Sequence, residues 1–241
     1  MKDEPATTDA VSGQSADGGA AAAALAAEIR AGVRGHADTA YVPGTVAARS
    51  PGKPVLGVRI PLLRAAVHAA ARPPSPRHGG PDAGMVRAAA TVLWHGTAHE
   101  DELAACMLLR RTAVAPTAAM VRDWAPLLDN WLSVDEFGGV LGAAVQAEAL
   151  LVEDLGWLAV SASDWQRRLF LVMLIAPVCA GLDPVAVPGL VGVLPDPAKP
   201  VRKAAVWLVS AVLKRRPDAA GQFQRVLGAA GPRPLLRLVD R

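Results

Sequence analysis

The chain has 241 residues, 52% of them apolar but only 4% aromatic, with 25 Lys/Arg against 22 Asp/Glu. That length supplies ample core for a large domain, and the shortage of β-branched and aromatic runs argues against a sandwich or barrel. Two cysteines, Cys106 and Cys179, sit inside apolar stretches, which excludes a disulfide framework or a zinc cluster and fits a reducing compartment.

Residues 1–18, rich in Ala, Asp, Ser, Gly and Thr, are expected to form a disordered tail. Residues 19–241 are expected to form one helical domain. Apolar segments alternate there with Pro, Gly and Asp breaks. They predict helices over 19–35, 61–71, 83–95, 99–112, 117–128, 133–152, 164–178, 184–194, 198–215, 217–229 and 232–240, with one or two short helices in 36–57. Pro61 suits a first helical turn, where its missing N–H costs nothing. Ser133 and Glu136 read as a capping box, and Ser163 or Asp164 can cap the helix that follows. Lys214, Arg215 and Arg216 suit a helix C-terminus. The stretch Arg72–Pro81 cannot be helical. The N-terminus lacks an apolar targeting segment. The longest uncharged apolar run, Leu169–Leu182, is 14 residues and contains Pro177, whereas a membrane span needs ~20. A cytoplasmic protein is the expectation.

Many short apolar helices without heptads predict an all-α fold, an α-solenoid of stacked HEAT-like pairs, with a helical bundle as the alternative architecture. Charge is unevenly spread. Residues 161–241 hold 12 Lys/Arg against 5 Asp/Glu, while residues 1–160 carry a net charge of −4. A basic concave groove that follows a duplex backbone is therefore expected.

Four fragments stand out: Leu56–Arg64 (LGVRIPLLR), Leu128–Asp135 (LDNWLSVD), Asp164–Leu169 (DWQRRL) and Val201–Val209 (VRKAAVWLV). In this order they resemble the DNA alkylation repair family, the AlkD-like alkylpurine DNA glycosylases. The resemblance covers roughly residues 19–235. It implies a superhelix of HEAT-like repeats, double-stranded DNA as partner, and removal of cationic alkylated purines without base flipping. It further implies site roles for Trp131 and Asp135, for Arg168 closing the W-x-x-R start, and for Trp207 of K-A-x-x-W. Arg64 matches a backbone-contacting arginine. Arg59, Arg167, Arg202 and Lys203 are the other expected DNA contacts. Leu132 stands where the family commonly has Asp, and Asn130 where a second Trp is common. Some family members protect antibiotic producers from their own DNA-alkylating products, and the Ala- and Arg-rich composition fits a GC-rich coding genome. A role against bulky adducts in such a producer is one expectation.

The side chains suit that chemistry. An N3- or N7-alkylated purine is already cationic and leaves readily, while its departure puts oxocarbenium character on the deoxyribose. Asp135 can supply negative charge and orient or deprotonate water. Trp131 and Trp207 can set ring faces against the cationic nucleotide. Arg168 can hold a phosphate, or Asp135 itself. No metal or other cofactor is required, and no Lys stands in a recognisable Schiff-base setting, so a monofunctional, monomeric glycosylase is expected.

Each residue also has a structural reading. Asp135 can simply oppose a helix dipole, although Glu136 can do that instead. Arg168 can be an ion-pair residue between repeats, and Trp207 a core ring. Trp94, Trp124, Trp157 and Trp165 read as packing. His95 and His99, lacking a third ligand, read as a solvated helix junction. The rival function is a non-catalytic HEAT-like scaffold for nucleic acid or protein.

Overall fold

A computed structural model describes residues 10–49, 51–72, 82–228 and 231–240, with side chains of 10–17 and 49 left out. Among the described residues the secondary structure is helical throughout. The helices are α1 (Ala10–Arg34), α2 (Val42–Arg49), α3 (Ile60–Ala70), α4 (Ala83–Trp94), α5 (His99–Thr112), α6 (Ala118–Trp124) and α7 (Trp131–Gln146). They continue as α8 (Asp164–Met173), α9 (Ile175–Ala180), α10 (Leu190–Val193), α11 (Lys199–Arg215), α12 (Ala220–Leu227) and α13 (Arg233–Val239). This is an all-α helical repeat fold. Because α1 begins at Ala10, residues 10–18 of the expected tail are helical, and residues 1–9 lie outside the described residues. Most of the Arg72–Pro81 break, residues 73–81, also lies outside them.

The chain divides into two compact units. The first comprises residues 1–43 and 53–114, in which α1 packs on α3 and α4, and α5 on α3 and α4. Its core includes Ile29, Val33, Leu63, Val67, Val86, Leu93, Trp94, Leu103 and Leu108. The start of α5 is buried although it reads His-Glu-Asp-Glu. Glu100 accepts the backbone N–H groups of Leu56, Gly57 and Val58 at 3.0, 2.9 and 3.2 Å. Glu102 pairs with Lys53 at 2.9 Å, and Asp101 lies 3.7 Å from Arg30. Carboxylates in a first helical turn also oppose the macrodipole favourably. His99 is therefore not solvated as expected. It is fully buried, with Nδ1 3.9 Å from Glu102, while His95 is exposed.

The second unit comprises residues 44–52 and 115–241. Here α7 packs on α8 and α9, and α8 on α11. The α7–α8 approach is close because α7 carries Gly138 and Gly142. A Cβ at Gly138 would meet Val172 Cγ1 at 2.6 Å, and one at Gly142 would meet the Met173 carbonyl at 2.6 Å. The predicted helix over 164–178 is interrupted at Leu174, dividing it into α8 and α9. Pro177 has no N–H to give Met173, and its ring displaces that carbonyl. The predicted helix over 133–152 stops at Gln146, followed by Glu148 in a left-handed conformation at φ 57°. Trp124 and Phe137 fill the core with centroids 5.3 Å apart, and Arg122 stacks over Trp157 at 5.4 Å.

Candidate active site

Three helices of the second unit bring their first turns to one cleft. The start of α7 is set by Asn130, whose side-chain oxygen accepts the N–H groups of Leu132 and Ser133 at 3.1 and 3.0 Å. Its amide donates to Ser133 Oγ at 3.1 Å and to Asp129 Oδ1 at 2.9 Å. Asn130 is thus the N-cap, which corrects the Ser133–Glu136 capping box. Ser133 already lies inside the first turn, its N–H occupied by Asn130. The shift makes Trp131 the first helical residue and places Asp135 one turn on, on the same face.

One-turn pairs recur on the two facing helices. On α8, Trp165 precedes Arg168 by three residues, and on α11, Lys199 precedes Lys203 by four. Trp131, Asp135, Trp165, Arg168, Lys199, Pro200 and Lys203 line a cleft of 420 Å³. Asp135 is the one carboxylate among these lining residues, facing an arginine and two lysines.

Arg168 grips Asp135 with two parallel bonds, Nε to Oδ1 at 3.0 Å and Nη2 to Oδ2 at 2.9 Å. Its Nη1 donates to the Pro200 carbonyl at 2.9 Å. The guanidinium thereby ties α7 to α8 and α8 to α11, and it fixes the carboxylate plane. Arg168 is 8% exposed and Asp135 16%. Burial pushes the Asp135 carboxyl up to about 6, and neighbouring Glu136 adds to the rise. The charge and hydrogen bonds of Arg168 pull the other way without cancelling burial. Asp135 is consequently ionised at neutral pH but titrates just below it.

Trp131 is 38% exposed, and its indole N–H donates to the Ala48 carbonyl at 3.0 Å. Trp207 is 43% exposed and lies one turn past Lys203 on α11, outside the cleft lining. Its expected core alternative does not fit that exposure. Of the four expected site residues, the cleft therefore gathers Trp131, Asp135 and Arg168. It adds Trp165, read from sequence as packing, and Lys199, which sequence reasoning passed over. Both were recoverable from helical spacing to Arg168 and Lys203. Two lysines, Lys199 and the expected DNA contact Lys203, thus stand in the lining.

The expected DNA contacts separate. Arg167, beside Arg168 in sequence, points elsewhere. It donates to Asp196 and Asp164, each at 2.6 Å, and to the carbonyls of Ser161 and Ala162 at 2.7 and 3.0 Å. A guanidinium so occupied is a structural tie. Lys203 lines the cleft, and Arg202 is exposed on the adjacent face of α11. In the first unit, Arg59 is 63% exposed, stacks over Tyr41 at 5.3 Å and lies 3.9 Å from Asp38. Arg64 lines a 290 Å³ cleft of that unit with His68, Met107, Arg110 and Arg111. Among the described residues, no three His, Cys, Asp or Glu side chains form a metal-holding group, and no helix is long and apolar enough to cross a membrane.

A fixed carboxylate in a cleft it shares with two indoles and three cations suits a substrate that is anionic in its backbone and cationic at its reacting centre. The comparisons agree with the first half of that statement. Residues 29–237 match the family model for DNA alkylation repair enzymes, and the chain belongs to that family. Its activity therefore falls within the repair of alkylated DNA. No curated protein matches the chain.

Proposed function

We propose that the protein is a monofunctional DNA glycosylase that hydrolyses the N-glycosidic bond of cationic N3- or N7-alkylated purines in duplex DNA. The observation that carries this reading is Asp135, a lone oriented carboxylate in a cleft whose other charged lining residues are cations. Such a carboxylate weakens phosphate binding, which disfavours a scaffold that merely holds DNA.

The chemistry needs little more. The C1′–N bond breaks with its electron pair passing to the purine ring, which cancels the alkylated base's positive charge. Positive charge then develops on C1′ and the ring oxygen of the sugar. Asp135 stabilises it through a carboxylate face held in place by Arg168. Water adds to C1′, and its proton passes to Asp135 or to solvent. The products are free base and an abasic site.

Trp131 and Trp165 offer ring faces to the cationic nucleotide, an attraction of about 0.5–2 kcal/mol each. Trp207 extends that wall along α11. Lys199, Lys203 and Arg202 meet phosphates in the second unit, and Arg59 and Arg64 do so in the first. No closed base pocket is needed, and an open cleft admits bulky adducts.

The test is release of base from duplex DNA carrying N7-methylguanine, run beside duplexes carrying a bulky N3- or N7-purine adduct. The reading predicts free base and an intact strand that breaks only on heating in alkali. Borohydride added during the reaction should trap no protein–DNA adduct. A trapped adduct would make Lys199 or Lys203 a nucleophile and replace hydrolysis with a lyase mechanism. Salt-sensitive DNA binding with no release from any duplex would favour the scaffold.

A further inference from the structure

We infer that Asp129, acting with Gly52, is a positioning residue that latches the segment Gly44–Gly52 onto the start of α7 and so fixes the ring of Trp131. This rests on the role proposed for Trp131 above. The segment clusters with the second unit, although the residues on either side of it cluster with the first. It reaches α7 across some 80 positions of sequence at two points. The Gly52 N–H donates to Asp129 Oδ2 at 2.6 Å, and the Trp131 indole N–H donates to the Ala48 carbonyl at 3.0 Å.

Both points are built for the purpose. Ala48 lies in the last turn of α2, where carbonyls have no partner within their own helix. Its oxygen is thus available to an indole, whose single N–H seeks one acceptor. Immediately beyond α2, Pro51 prevents continuation and Gly52 brings backbone against Asp129. A Cβ at Gly52 would run into the Asp129 carboxylate, which would have to swing away from the Gly52 N–H. The other oxygen of Asp129 accepts from the side chain of Asn130, and Asn130 caps α7. One carboxylate thus joins the latch to the cap that sets the position of Trp131. Trp131 itself is over a third exposed, and the bond to Ala48 gives its ring a fixed polar anchor.

The readout that separates positioning from general stability is the indole N–H of Trp131, resolved from the other five tryptophans by comparison with Trp131→Phe. In Asp129→Ala its hydrogen exchange should speed up about tenfold, the loss of one charge-assisted bond, with the other indoles unchanged. Asp129→Asn keeps only one of the two acceptors and should fall between the wild type and Asp129→Ala. Gly52→Ala should behave like Asp129→Ala. In base release, Asp129→Ala should lower kcat about five- to tenfold and leave KM near its original value, because Trp131 acts on the developing charge. Unchanged Trp131 exchange in both Asp129→Ala and Gly52→Ala overturns the latch. Absence of base release by the wild type would overturn the proposed reaction, while the exchange result would still decide the latch.

Discussion

Replacing Arg168 by Gln separates the two forces acting on Asp135. In the wild type, burial raises the carboxyl to about 6 while the Arg168 charge and its two hydrogen bonds hold it down. About nine-tenths of Asp135 is then ionised at pH 7 and about one-tenth at pH 5. Without Arg168, burial and Glu136 remain, and both favour the protonated form. An opposite charge at this distance typically lowers a carboxyl by at least one pKa unit, so the midpoint should rise to about 7 or above. Single-turnover base release between pH 5 and 9 reads this directly. At pH 6 the wild type should run at about half its plateau and the variant at about a tenth or less of its own. The variant also loses the bond to the Pro200 carbonyl. Breaking a well-buried pair costs ~3–5 kcal/mol, and partial exposure of Asp135 brings the expectation to ~2–4 kcal/mol at pH 7.5. That loss should shrink at pH 5, where Asp135 is protonated in both proteins. Arg168→Lys keeps the charge without the planar fork and should fall between. A variant whose rate profile turns at the wild-type pH would refute the coupling of Arg168 to Asp135.

Asp135 also ties stability to pH. Its carboxyl stands near 6 in the fold against an ordinary 3.8, so the folded chain binds the extra proton between those values. Stability from this group is therefore gained as pH falls from about 6 toward 4 and is absent above pH 7. The Tm of the wild type should rise relative to that of Asp135→Asn over that window, as thermal melts at pH 7 and pH 4.5 would register. A gap that moves the other way contradicts the burial of Asp135. Arg167 and Lys203, both expected DNA contacts, predict opposite behaviour as well. Arg167→Ala should lower Tm while leaving the salt dependence of DNA binding unchanged. Lys203→Ala should leave Tm unchanged and reduce the log–log salt slope by about 0.9, one phosphate contact; equal slopes in the two variants would contradict their division of labour.

Helical periodicity carried much of the site in the sequence. Trp131 and Asp135 are four residues apart, so any helix containing both aligns them whatever its cap. The same arithmetic places Trp165 near Arg168, yet a tryptophan at a helix start also suits packing, and only the facing helix α7 distinguishes the two. Arg167 and Arg168 look equivalent as neighbours but point about 100° apart around the axis. One of them meets Asp135, and the other meets Asp164 and Asp196. Helix positions were legible because Pro, Gly and capping side chains mark ends locally. The choice between Asn130 and Ser133 as cap was not, since either residue suits that position and only one can take it. Least legible were the long-range ties. Glu100 receives N–H groups from more than 40 positions away, and Ala48 and Gly52 receive or give bonds some 80 positions away. No local pattern encodes such pairs. His99 was misread for the same reason, because it lies 3.9 Å from Glu102, whose partner Lys53 is distant in sequence.

The central claim is that Asp135 stabilises positive charge developing on the sugar. Base release from N7-methylguanine duplex by the wild type and by Asp135→Asn, measured in single turnover at pH 7.5, tests it most directly. Asparagine keeps the shape and one acceptor for Arg168 but removes the charge. Loss of a placed electrostatic stabiliser typically costs ~10²–10³ in rate, and a loss of that size with duplex affinity unchanged or improved is the predicted result. An Asn variant that releases base as fast as the wild type would contradict the account.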